Sequence, residues 1–172
     1  MLDKLYEYLL SDDISLYEEE IFKMIPELRY EKGFDQKSEW HEFDVWNHTL
    51  ATILACDNNK GDRLVLLLHD IGKPFSYQDD KDVRHFKNHA LKSTEIAKKI
   101  LIRLNVPFED ISIMLQLIGL HSTRIDPKDI NGETVEFYKR LLKIQKCDAC
   151  GYEKEHAKLI LKQLEEQDKL LR

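Results

Sequence analysis

The chain has 172 residues, 42% of them hydrophobic and 34% charged, with a formal net charge of −6. That is the profile of a folded globular domain long enough to bury a core. Scattered Lys and Arg among more numerous acids argue against stable nucleic-acid binding, no apolar run nears the roughly 18 residues of a membrane span, and MLDKLYEYLL is too acidic and too short in its apolar part for a signal peptide.

The pattern is helical nearly throughout. Helices are predicted over residues 2–10 and 14–24, with Ser11, Asp12 and Asp13 between them as turn and cap residues. Residues 26–39 read as a loop. Asp44 is a natural N-cap for a helix running to about Cys56, and Asn58, Asn59 and Gly61 break it. Asp62 is then expected to cap a helix over 63–71. On periodicity alone RLVLLLHDI also fits a buried strand. Helix is favoured because only Val65 and Ile71 are β-branched and Gly72 and Pro74 close the segment. A polar loop follows over 75–84, then helices over 86–104, 108–121 and 133–149, and an amphipathic one over 152–171 whose leucines are expected to pack on the chain's own core. The expectation is an all-α single domain over 1–172, a helical bundle. Cys56, Cys147 and Cys150 make no disulfide framework, so a cytoplasmic protein is expected.

Several polar residues interrupt apolar faces. The stripe Ile111, Met114, Ile118 continues at helical spacing to His121, and the stripe Phe137, Leu141, Ile144 continues to Asp148. His48 shares a face with Ala51, Thr52 and Ala55, small residues that permit a close neighbour. His89 opens a helix whose inward set includes Ser93, Ile96 and Ile100. His69 and Asp70 end an apolar run side by side. Taken singly, each has an ordinary explanation: a core histidine hydrogen-bonded to its surroundings, or an aspartate acting as a cap. Taken together, they leave buried carboxylates with no Lys or Arg on the same inward stripes, a deficit of several kcal/mol per group. A divalent ion held among them resolves that deficit for all of them at once.

These residues also carry a resemblance. The order His48, His69-Asp70, His89, His121, Asp148 resembles the HD-domain superfamily of metal-dependent phosphohydrolases. The segments WHEFDVWNHTL, LLLHDIGKP, FKNHALKS and Arg103 to Pro107 are similar to the HD domain attached to bacterial tRNA nucleotidyltransferases. The likeness covers about residues 24–151. WHEFD is one residue shorter than the family spacing, which weakens any substrate role for His41. No Gly-Ser followed by paired carboxylates is present, so CCA addition is not expected of these residues and a free-standing HD-type bundle is.

The resemblance implies metal ligation by His48, His69, Asp70 and Asp148, with His89 and His121 either holding a second ion or standing beside a single one as phosphate contacts. Imidazole-rich ligation suits Mn, Fe, Co, Ni or Zn better than Mg. One or two such ions are expected, two being favoured. Asp70 is the expected orienter of the attacking water. Lys73 is expected to offer a mobile ammonium to the phosphate or leaving group, unless it merely complements the helix dipole. Arg84 and Arg124 are candidate phosphate contacts, with an ordinary surface role as the alternative. The expected substrate is a small phosphate ester of nucleotide type. Two other classes stand beside this one: a non-catalytic nucleotide or metal sensor, and a di-iron oxygenase resembling inositol oxygenase. The Cys147-x-x-Cys150 run has no second pair and reads as helical core, and His85 and His156 read as ordinary surface or loop residues.

Overall fold

A computed structural model describes residues 1–132 and 134–171. Among the described residues eight α-helices carry the fold: α1 (Leu2–Leu9), α2 (Glu18–Met24), α3 (Val45–Ala55), α4 (Lys60–Leu68), α5 (His89–Arg103), α6 (Phe108–Leu120), α7 (Val135–Ala149) and α8 (Lys154–Asp168). The predicted start of α7 at residue 133 lies outside the described residues. Among those residues no helix is long and apolar enough to cross a membrane.

The organising element is α4. Leu64, Val65, Leu66, Leu67 and Leu68 are all fully buried, so this helix is apolar on every side and must be surrounded. Its neighbours are α1, α3, α6 and α7. Each buried leucine contributes roughly 1.5–3 kcal/mol. The ambiguity between strand and helix is thereby resolved in favour of helix. The helix stops at Leu68, however, and His69, Asp70 and Ile71 form the tight turn after it rather than its last turn.

The expected cap of α4 is corrected. Asn59 accepts from the backbone N–H groups of Gly61 and Asp62 at 3.0 Å each. Asp62 instead turns inward, 1% exposed, where the Arg140 Nε (2.6 Å) and Lys143 Nζ (2.7 Å) of α7 neutralise it. The polar stretch after Phe75 is also more ordered than a loop: β1 (Gln78–Asp80) pairs antiparallel with β2 (Val83–His85), Asp79 opposite Arg84. Asn105, in the left-handed region at φ 59°, turns the chain between α5 and α6, which pack as a helical hairpin. At the C-terminus Leu164 and Leu171 are buried, so α8 and the turn after it cover the chain's own core.

Candidate metal centre

Five elements deliver six donor residues to one place. Asp44 caps α3 by accepting from Asn47 N at 2.7 Å, and α3 carries His48. The turn after α4 carries His69 and Asp70, α5 opens with His89, α6 ends at His121, and α7 carries Asp148. His48, His69, Asp70, His121 and Asp148 are buried, and His89 is half-buried.

All four imidazoles are aimed in the same way. His48 Nδ1 lies 2.9 Å from Gly151 O, His69 Nδ1 2.6 Å from Leu66 O, His89 Nδ1 2.9 Å from Phe86 O and His121 Nδ1 2.7 Å from Ile118 O. A carbonyl only accepts, so each Nδ1 carries a proton, and each ring when neutral presents an Nε2 lone pair inward. Those lone pairs face other acceptors. His48 Nε2 is 3.0 Å and His69 Nε2 3.4 Å from Asp148 Oδ1. Asp70 Oδ2 is 3.5 Å from His48 Nε2 and 3.2 Å from His69 Nε2, while Asp70 Oδ1 is 3.6 Å from both His89 Nε2 and His121 Nε2. The last two rings approach within 3.2 Å. His69 Nε2 and Asp70 Oδ1 are buried with no hydrogen-bond partner. Lone pair facing lone pair in a dry site is repulsive without cations between them. Two triads, His48–His69–Asp148 and His69–Asp70–His121, hold their donor atoms within 4.8 Å of one another. The donor set therefore fits divalent ions.

Burial works against the charge on Asp70 and Asp148. The surrounding imidazoles, and for Asp70 the Lys73 ammonium, outweigh it and hold both carboxyls well below the usual range. Burial likewise opposes charge on His69, but the adjacent Asp70 and Asp148 carboxylates more than offset it, raising His69 well above the ordinary imidazole value. Protons on the rings and metal ions thus fill the same electrostatic need and compete for it.

Lys73 differs from its expected place. It is not a free ammonium at a helix end but 4% exposed, with Nζ 2.6 Å from Asp70 Oδ2 and 2.7 Å from Gln36 Oε1. It supplies the cation that the inward stripes lack. Arg84 is committed elsewhere: Nε and Nη2 bind Asp79 at 2.6 and 2.9 Å, Nη1 binds Asp35 O at 2.7 Å, and the guanidinium lies over Phe34 and Tyr77. These bonds hold the β1–β2 hairpin down and commit the guanidinium to protein partners away from the clustered donors. Arg124 is exposed on the wall of a cleft of about 740 Å³ shared by His121, Gln145, Asp148, Tyr152 and Gln167. His156, read as ordinary surface, packs on Trp40 and Tyr152.

Three further residues border the donors, of which the sequence singled out only His41. Gly151 lies so close to His48 that a Cβ there would come within 2.6 Å of Cε1, so the end of α7 sets that ring. His41 stacks on Tyr152 beside His48, with neither ring nitrogen partnered. Burial, then the Lys73 and His48 charges, push His41 down to about 3, so its ring is neutral. Glu31, fully buried, accepts from Thr49 Oγ1 at 3.3 Å while its Oε1 has no partner. Burial, then the Asp70 charge, raise its carboxyl well above the usual value. A raised folded-state pKa means that the folded chain binds the extra proton, so stability is lost as pH rises past the ordinary carboxyl value. Glu31→Gln is accordingly expected to resist urea better than the parent at pH 8, with the difference closing as pH falls to about 4.

A family model for the HD domain matches residues 45–170. The chain belongs to the HD-domain family. That family is a superfamily of metal-dependent phosphohydrolases, and HD domains bind divalent metals. The chain is similar to an A-adding tRNA nucleotidyltransferase of Deinococcus radiodurans, 30% identical over 112 residues, covering 61% of the chain and 26% of the relative. A CC-adding tRNA nucleotidyltransferase of Thermus thermophilus is 32% identical over 108 residues, 59% and 25% of the two chains. A multifunctional CCA protein of Shewanella frigidimarina is 28% identical over 116 residues, 65% and 28%. The chain thus spans about a quarter of the length of these curated relatives. No solved structure matches it.

Proposed function

We propose that this HD domain hydrolyses a small phosphate ester of nucleotide type, using two divalent transition-metal ions. The observation that carries the reading is the bridging posture of Asp70: one oxygen faces His48 and His69, the other faces His89 and His121. His48, His69, Asp148 and Asp70 would hold one ion, and His89, His121 and Asp70 the other. Bound there, Mn, Fe, Co, Ni or Zn supplies Lewis acidity to phosphoryl oxygens and brings the pKa of a bound water towards neutrality.

The chain's own groups do the rest. Asp70, ionised and fixed between the two groups of rings, orients the attacking water. Lys73 reaches the same carboxylate at 2.6 Å and presents its ammonium to a phosphoryl oxygen or to the leaving oxygen. His41, neutral and without a partner, can donate one hydrogen bond to the ester. The cleft beside His121 and Asp148 accommodates the rest of the substrate, with Arg124 at its wall as the cation for a further phosphate. A cytoplasmic setting completes the proposal, supported by three free cysteines.

The test is elemental mass spectrometry of tag-free protein prepared without chelators, followed by assay on bis(p-nitrophenyl) phosphate and a nucleotide panel. About two transition-metal ions per chain with turnover is expected. A single ion would make His89 and His121 phosphate contacts instead. A chain that takes up no Mn, Fe, Co or Ni and shows no turnover would overturn the reading in favour of a non-catalytic module.

A further inference from the structure

Residues 34–45 leave the core and return to it as a compact loop. Val45 N donates to Phe34 O at 3.2 Å, which joins the two ends. Loops of this kind are packed by their own side chains and often carry function. The filling here is Gln36, 1% exposed. On the far side of the loop Trp40 O accepts from Glu153 N at 2.9 Å. The His41 ring packs on Tyr152 with centroids 4.6 Å apart and lies 5.7 Å from the ring of His48. The loop therefore sets His41 beside the candidate metal centre.

Both ends of the Gln36 amide are committed. Nε2 donates to Phe43 O at 3.2 Å, across the loop, and Oε1 accepts from Lys73 Nζ at 2.7 Å. The two ends cannot be exchanged, because a carbonyl only accepts and an ammonium only donates. Lys73 Nζ also donates to Asp70 Oδ2 at 2.6 Å and lies 5.3 Å from the centre of the Phe86 ring. An ammonium has three N–H groups. Two are aimed at Asp70 and Gln36, so one remains, and the other two set its direction. With Asp70 as sole acceptor, the head of this flexible side chain would swivel about a single bond. The second acceptor stops that rotation.

We propose that Gln36 is a positioning residue. It holds the Lys73 ammonium in the orientation that pairs with Asp70 and leaves the third N–H for a phosphoryl oxygen of the substrate. The same amide locks the loop that bears His41. Gln36 touches no substrate and acts through Lys73. Its contacts form a continuous path, Phe43 O to Gln36 to Lys73 to Asp70, from the loop to the carboxylate that faces both groups of rings. The role of the third N–H rests on the phosphohydrolase reading; the hold on Lys73 does not.

Two variants test it. Gln36→Met keeps the length of the side chain and loses both polar ends. Gln36→Glu keeps an acceptor for Lys73. The full metal-free chain is labelled at its lysine side chains and read by NMR, with Lys73→Arg assigning the resonance. A buried, doubly hydrogen-bonded ammonium exchanges its protons slowly enough to give a cross-peak. Lys73 is expected to show one in the parent and in Gln36→Glu, and to lose it in Gln36→Met. With manganese and bis(p-nitrophenyl) phosphate, Gln36→Met is expected to lower kcat about 10–100-fold with little change in KM, and Gln36→Glu to recover part of that loss. A side chain that merely fills the loop would lower Tm and leave kcat alone. An unchanged Lys73 cross-peak in Gln36→Met, parental kcat in that variant, or equal losses of kcat in the two variants would overturn the proposal. A parent without turnover would overturn the phosphohydrolase reading instead, and the resonances would still decide whether Gln36 holds Lys73.

Discussion

Asp70→Asn is expected to abolish phosphate-ester turnover, by a factor on the order of 10³ or more, while the chain stays folded. The amide keeps the volume of the carboxyl but loses the charge that both groups of rings face. Changes behind a metal ligand already cost about 10–100-fold in affinity, and a ligand bridging two positions stands above that. Metal content therefore falls with activity, read as ions per chain beside an unchanged far-UV spectrum. Asp148→Asn provides the contrast. Asp148 faces only His48 and His69, so this variant is expected to keep the ion at His89 and His121 and lose the other. Equal loss in both variants would mean that Asp70 does not bridge.

Gly72→Ala is expected to lower stability and turnover together. A Cβ at this position would meet backbone: His89 O at 2.5 Å and Lys92 C at 2.9 Å, with Ser93 N also overlapped. No side chain can swing aside, so the first turn of α5 must retreat and carry His89 with it. The Gly72 N–H to Ser93 Oγ bond of 2.9 Å is strained by the same movement. Overpacking of this kind costs about 2–3 kcal/mol, which for a chain of this size lowers Tm by roughly 5–10 °C. Thermal melts and metal titrations check it, with Gly132→Ala as the control because nothing lies within 4 Å of a Cβ there. A Gly72→Ala protein with the parental Tm and full metal occupancy would contradict this account of how α5 is seated.

Much of this architecture is written in local pattern. The helices containing His48, His121 and Asp148 follow from apolar spacing, and the unbroken leucines of α4 announce a surrounded element. The clustering of the candidate donors was legible for a related reason: a polar residue at the end of an apolar stripe is costly enough to demand an explanation. What escaped depends on partners far along the chain. Asp62 has the composition of a cap, and only Arg140 and Lys143, 78 and 81 positions later, draw it inward. Lys73 sits in a segment that reads as a helix end, and its burial depends on Gln36, 37 positions earlier in a stretch without periodicity. The β1–β2 hairpin is mostly exposed, so no alternation marks it; Arg84 holds it by its bond to Asp35 O and its stacking on Phe34.

The carbonyls that fix the four rings differ in how far away they lie. For His69, His89 and His121 the accepting carbonyl belongs to the residue three positions earlier. For His48 it belongs to Gly151, 103 positions later. Closing a three-residue loop costs little conformational entropy, whereas closing a hundred-residue one draws on the whole chain. Three rings are therefore aimed as soon as their own helix ends form, and the fourth is aimed only when the end of α7 docks beside α3. The order of assembly follows: the half of the centre built on His89 and His121 is oriented early, and the half built on His48 is completed last, by the same contact that brings Asp148 home.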